Sequence, residues 1–125
     1  MLTTIEQFIQ NYNDRELEST LECFSESPPA FAFGSGVEEK RIGLSQIREQ
    51  LLQDWAQSRS SMLKVNEIVH GLSDHFGWAA VELGVELVLD CGVKNFPARA
   101  SFVLYRDGSS SWKIVHMHFS IPANE

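Results

Sequence analysis

Positive charge is scarce in this chain: ten lysines and arginines stand against seventeen aspartates and glutamates, a formal net charge of −7 across 125 residues. Nucleic-acid affinity comes largely from basic side chains that displace counterions, and the ten here are scattered without forming a stripe. Nucleic acid and anionic membrane are therefore not expected as partners. Cysteine is also rare. Cys23 and Cys91 are the only two; they lack the spacing of a metal cluster and read as reduced core thiols. No apolar run approaches the ~20 residues that span a bilayer. The polar start Thr3, Thr4, Glu6, Gln7 has neither the basic region nor the apolar stretch of a secretory leader. A cytoplasmic location is the expectation. Low-complexity tracts, repeats and linkers are missing, so residues 1–125 read as a single domain.

What is present is an ordinary globular balance, 43% hydrophobic and 22% charged, enough to build a core without staples. Ile5, Phe8, Ile9 and Tyr12 recur at helical spacing. Asn13-Asp14 offers an N-cap for a second helical face of Leu17, Leu21 and Phe24, which Pro28-Pro29 stops. Ala30 to Gly34 predicts a short strand, and Gly34-Ser35-Gly36 a turn. Leu44, Ile47, Leu51, Leu52 and Trp55 predict a further helix after Gly43.

The second half reads as strand. Met62 to Leu72 is one. Gly77 to Cys91 is another, alternating with Ala79, Val81, Leu83, Val85, Leu87 and Leu89 on one face and Trp78, Glu82 and Glu86 on the other. Phe96 to Arg106 and Trp112 to Ile121 follow, joined by a turn at Asp107-Gly108. Helices followed by a run of strands predict an α+β fold with helices on one face of a curved, mostly antiparallel sheet. Strict alternation in the last strand puts Trp112 and Ile114 on one face, and Val115, Met117 and Phe119 on the other. Both faces then need cover, and a homodimer is the expectation.

Four segments carry a resemblance. They are the helix pair Ile9 to Phe24; the run Phe33-Gly34-Ser35-Gly36, then Glu39, then Gly43; the strand start Gly77-Trp78-Ala79; and the closing strand Trp112-Lys113-Ile114-Val115-His116-Met117-His118-Phe119-Ser120-Ile121-Pro122. Together they resemble the SnoaL-like family of the nuclear transport factor two and ketosteroid isomerase superfamily. The closing strand is also similar to that of the calcium/calmodulin-dependent protein kinase II association domain. The resemblance implies a cone-shaped fold whose helices and sheet enclose a cavity. It implies no single function, because this fold hosts isomerases, dehydratases, cyclases, association domains and plain binders.

Carried over residue by residue, the resemblance places the ketosteroid isomerase catalytic positions near Phe8, Gly34 and Phe102, none of which moves a proton. The association domain's three pocket arginines match Phe119, Ser101 and Leu83 (or Gly84), all uncharged, while its pocket tryptophan matches Trp55. The implied cavity keeps its shape and loses its anion clamp. Its expected lining is Trp55, Leu83, Arg99, Ser101, Met117 and Phe119. Arg99 is either its polar anchor or a surface ion pair with Glu82, Glu86 or Asp90. His116 and His118 lack a clear third ligand, so they read as a structural pair, and neither metal nor cofactor is expected. His70 and His75 read as exposed.

The leading expectation is a dimeric domain that binds a small, largely apolar molecule without catalysis. A small isomerase, cyclase or dehydratase-type enzyme and a purely structural association module are the alternatives. A titratable group with a shifted pKa inside the cavity would favour the enzyme.

Overall fold

The computed structural model describes residues 1–108 and 110–123. Two helices open the chain, α1 (Leu2–Asp14) and α2 (Leu17–Leu21). Two short strands follow, β1 (Phe31–Phe33) and β2 (Lys40–Ile42), then α3 (Gly43–Ala56). Four longer strands complete the fold: β3 (Ser60–Leu72), β4 (Phe76–Leu89), β5 (Gly92–Tyr105) and β6 (Lys113–Ser120). All six strands form one open sheet in the order β2-β1-β6-β5-β4-β3. Every pairing is antiparallel except β1 with β6. The α+β expectation holds, with β5 starting earlier than the pattern indicated.

The apolar stripe of α1 buries Ile5, Phe8 and Ile9. Phe8 meets Phe24 edge-on at 5.5 Å and Phe102 of β5 at 5.9 Å, the preferred geometry for aromatic rings. Phe102 thereby marks the helix-facing side of the sheet. Ala79, Val81, Leu83 and Val85 share that side and are all buried, so the alternation read in β4 is correct.

The second helix departs from expectation. Asn13 and Asp14 close α1 instead of capping α2. Arg15 adopts the left-handed conformation (φ 58°, ψ 39°), and Glu16 precedes α2 with no side-chain cap. The Asn13 amide is committed elsewhere: Nδ2 donates to the Leu63 carbonyl (3.0 Å) and Oδ1 accepts from the Leu63 N–H (2.8 Å). It thus pairs with β3 as another strand would. α2 also stops at Leu21, because Phe24 is drawn into a bridge with Ile114 of β6, fixed by Ser25 N–H to Ile114 O and Ile114 N–H to Cys23 O, both 2.8 Å.

A bulge in β6 corrects the reading of the closing strand. Val103 pairs with His116 but Leu104 pairs with Ile114, leaving Val115 unpaired. One extra residue reverses the alternation. Ile114, Met117 and Phe119 therefore share the helix-facing side, opposite Leu104, Phe102 and Ala100, while His116, His118 and Ser120 point outward. The cysteines are also corrected in part. Both are free, but only Cys23 is buried, where loss of water pushes its thiol pKa up; Cys91 is exposed.

The outward side of the sheet has its own pattern. One row crosses all six strands: Gly71, Trp78, Val103, His116, Phe31 and Ile42. Trp78 is 48% exposed, and Phe31, Ile42, Val69 and Phe76 are exposed beside it. Gly71 is what lets the Trp78 indole lie down on β3, since a Cβ there would sit 2.7 Å from its Nε1.

Candidate functional site

A cavity of about 390 Å³ opens between α1, α3 and the helix-facing side of the sheet. Its size falls in the range of small-molecule pockets. Phe8, Leu63, Val85, Leu87, Phe96, Met117 and Phe119 supply apolar wall. These positions follow from register: Leu63, Val85 and Phe96 form one cross-strand row, and Phe102, Met117, Ala32 and Arg41 another.

The polar part of the lining gathers where α1 meets α3. The Tyr12 hydroxyl donates to Asp54 Oδ2 at 3.3 Å, and Gln50 Nε2 donates to Asp54 Oδ1 at 2.8 Å. Gln50 and Asp54, four residues apart, stand one above the other on α3. Ser61 on β3 completes the corner. It is 3% exposed, and its hydroxyl faces the phenol without full hydrogen-bond geometry, close enough to oppose part of the rise in the Tyr12 pKa. Buried atoms Gln50 Oε1 and Arg41 Nε are likewise without partners in the protein. Both ionisable groups of the corner are perturbed. Burial, reinforced by the charge of Asp54, raises the Tyr12 phenol above its ordinary value. Burial also raises Asp54, with Glu39 adding to the rise and Gln50, Tyr12 and Arg41 opposing it.

The glycine-rich turn shapes the cavity mouth. Gly34, Ser35 and Glu39 line it. Gly34 N–H donates to the Glu39 carbonyl at 2.7 Å, and a Cβ at Gly34 would collide with the Glu39 carboxylate. Glycine at 34 is therefore what lets the acidic side chain fold back over the turn. Gly43 has φ +83°, which suits the abrupt passage from β2 into α3.

Of the expected lining residues, Met117 and Phe119 face the cavity. Arg99 and Ser101 do not. They alternate with buried Ala98, Ala100 and Phe102, so they project from the opposite, outward side of β5 and are exposed. Arg99 lies across from Glu82 on that side, and no ion pair joins them. Leu83 is on the correct side but buried in the core, outside the cavity lining. Trp55, 8% exposed, packs behind Tyr12 at 5.8 Å and also falls outside the lining; its indole N–H makes no hydrogen bond.

His116 stacks on Phe31 at 4.3 Å, with Nδ1 3.1 Å from the Phe31 carbonyl oxygen; His118 sits against Phe33 at 5.6 Å. Among the described residues, no three His, Cys, Asp or Glu side chains gather as a metal site. His70 and His75 are exposed. The residues that sequence reasoning missed are Tyr12, Gln50, Asp54 and Ser61. Tyr12 was legible only as the last member of an apolar stripe. The one signal for Asp54 was a polar i, i+4 pair beside the apolar face of α3.

With this geometry in hand, comparison with known proteins is decisive for the family. Residues 1–124 match the SnoaL-like domain. The chain belongs to the SnoaL-like family. No curated protein matches it in sequence. Among solved structures, a nuclear transport factor 2-like superfamily protein from Salmonella enterica superposes with a TM-score of 0.85 at 19% identity, covering 98% of this chain and 88% of that one. A protein from Xanthomonas campestris, provisionally named a calcium/calmodulin-dependent protein kinase II association domain, gives 0.81 at 15%, covering 94% and 82%. A ketosteroid isomerase-like protein from Erwinia carotovora gives 0.81 at 12%, covering 98% and 93%. At these identities the likeness establishes the cone-shaped α+β fold of the SnoaL-like domain and nothing about activity. Among the described residues, no helix is long and apolar enough to cross a membrane.

Proposed function

We propose that this SnoaL-like domain binds a small, largely apolar molecule in the cavity beneath α1 and α3, and does so as a cytoplasmic homodimer. The observation that carries the reading is the cavity itself: about 390 Å³, walled mainly by aliphatic and aromatic side chains, with its polar atoms gathered around Tyr12 and Asp54. Pockets that take small molecules combine an apolar body with a few polar groups that fix orientation. A domain serving only to associate would gain stability by filling this space. The homodimer draws support from Phe31, Ile42, Val69, Phe76 and Trp78, all exposed on the outward side of the sheet. Such an exposed apolar surface is stabilised by a second copy of itself. The net charge of −7 continues to argue against nucleic acid and anionic membrane as partners.

Calorimetric titration with a panel of one- and two-ring compounds tests the binding reading. Wild type binds members of the panel, and Met117→Trp, which fills the cavity, abolishes that binding while the protein stays folded by circular dichroism. A panel without a single binder would sink it.

A second reading, acid–base catalysis, is favoured by one observation: a phenol and a carboxyl with raised pKa face each other in a mostly apolar cavity. Turnover of a bound compound, lost in Asp54→Asn, would favour it over plain binding.

A further inference from the structure

The unspent hydrogen-bonding capacity of the cavity says which small molecule suits it. The polar corner is rich in acceptors. Asp54 contributes two carboxylate oxygens, each holding one donor and able to accept another: Oδ1 receives Gln50 and Oδ2 receives Tyr12. Gln50 Oε1 is buried with no donor at all. Ser61 Oγ, on a residue 3% exposed, is buried and unpartnered. Neutral amide and hydroxyl atoms left in this way cost free energy until a ligand meets them. On the donor side, the guanidinium of Arg41 has turned Nη1 to the backbone carbonyls of Glu38 and Lys40 and Nη2 to Gln53, and its buried Nε has no partner.

Charge points the same way. The ionisable lining is Glu39 and Asp54 against Arg41, two negative groups and one positive, a residual of −1 when both carboxyls are ionised. The charged and titratable groups that face Asp54 are Tyr12 from α1, and Glu39 and Arg41 from the turn and strand before α3. The cavity walls include Phe8, Phe33, Phe96 and Phe119, and aromatic ring faces attract cations.

We infer that the cavity is selective for a protonated amine carried on an apolar, ring-sized body, its ammonium donating to Asp54, Ser61 and Gln50 Oε1. This rests on the proposed binding role and specifies its ligand class. An ammonium has three donors and no acceptor, which suits a corner offering acceptors. A neutral alcohol satisfies only part of it. A carboxylate meets like charge at Asp54 and Glu39, with Arg41 the one cation of the lining to receive it.

The experiment compares three probes of one shape by calorimetry: 2-(1-naphthyl)ethylamine, 2-(1-naphthyl)ethanol and 1-naphthylacetate. The amine binds at least about tenfold more tightly than the alcohol, the step expected from one hydrogen bond to a charged group, and the carboxylate binds weakest. Asp54→Asn brings the amine down to the affinity of the alcohol. Should that variant fail to fold, Ser61→Ala on the same probes reduces amine affinity more than alcohol affinity. In wild type, amine affinity falls as pH is lowered through the raised Asp54 range while alcohol affinity stays level. Equal affinity for amine and alcohol, or a carboxylate that binds tightest, overturns the amine selectivity and leaves the binding role standing. Failure of all three probes overturns both.

Discussion

Asn13 gives the sharpest test of how this chain is tied together. Its amide is the only side-chain link between the end of α1 and β3 among the hydrogen bonds of the described residues, donating to the Leu63 carbonyl at 3.0 Å and accepting from the Leu63 N–H at 2.8 Å. Asn13→Ala removes both bonds and leaves both Leu63 backbone groups without that partner. A protein hydrogen bond contributes about 1 kcal/mol net, so the pair contributes about 2 kcal/mol, with water reaching half-buried Leu63 as the limit on anything larger. For a chain of this size that lowers Tm by roughly 8 °C. Asn13→Asp separates this pairing from the helix-capping role that the sequence suggested. As an N-cap, Asp is as good as Asn. Facing Leu63, a carboxylate still accepts from the N–H but sets an oxygen against the carbonyl, so the variant falls near Asn13→Ala at pH 7. It recovers at acid pH, where a protonated carboxyl donates again. Urea denaturation of the three proteins at pH 7 and pH 3.5 provides the measurement. Asn13→Ala within about 0.5 kcal/mol of wild type, or Asn13→Asp indistinguishable from wild type at pH 7, would refute the pairing.

Further expectations concern separate parts of the fold. Asp54→Asn should raise stability at pH 7 relative to its effect at pH 3. A carboxyl with a raised native pKa holds its proton more tightly when folded, so wild-type stability falls as pH climbs from the ordinary value of 3.8 through the native one, and the amide variant escapes that loss; thermal melts across pH check the sign. Arg15 donates to Trp55 O (2.6 Å) and Ser58 Oγ (3.0 Å) at the end of α3 from a left-handed backbone. Arg15→Ala should therefore cost about 2 kcal/mol and Arg15→Gly roughly 1 kcal/mol less, because glycine removes the left-handed strain. Phe102→Ala, at the centre of the core, should cost about 3–5 kcal/mol in chemical denaturation. If the proposed homodimer forms through the outward face of the sheet, light scattering should give dimers for wild type and monomers for Trp78→Glu, with ligand binding in the cavity retained.

Legibility in the sequence followed the range of the interaction. The alternation of β4 was readable because Ala79, Val81, Leu83 and Val85 are all buried in the core, and period two survives from Phe76 to Glu86. The closing strand failed for a local reason: leaving Val115 unpaired lets Ile114 pair opposite Leu104 and Phe24 bridge to it, an arrangement set by residues ninety positions away. In β5 the period was sound and the chosen face was not. Arg99 and Ser101 alternate with buried residues just as Met117 and Phe119 alternate with exposed ones. Placing all four in one cavity required small Ala98 and Ala100 to point away from the core. Small residues there are what the packing demands, since Ala100 lies directly across from Phe119 and takes the space beneath it.

The polar corner was hidden for a different reason. Tyr12 and Asp54 are each unremarkable in their own helix, one ending an apolar stripe and the other a polar residue beside Trp55. They meet because Asn13 pins α1 to β3 at Leu63 and because Arg15, from its left-handed turn, holds the end of α3 at Trp55 and Ser58. Those ties hold α1 to β3 and to the end of α3, and the residues immediately before them, Tyr12 on one side and Asp54 on the other, lie 3.3 Å apart. The same closure leaves Ser61 Oγ and Gln50 Oε1 buried without protein partners. Stability and site are thus built from adjacent residues. It follows that loosening the scaffold should also loosen the site: Asn13→Ala, though it touches no cavity wall, should weaken ligand binding along with stability.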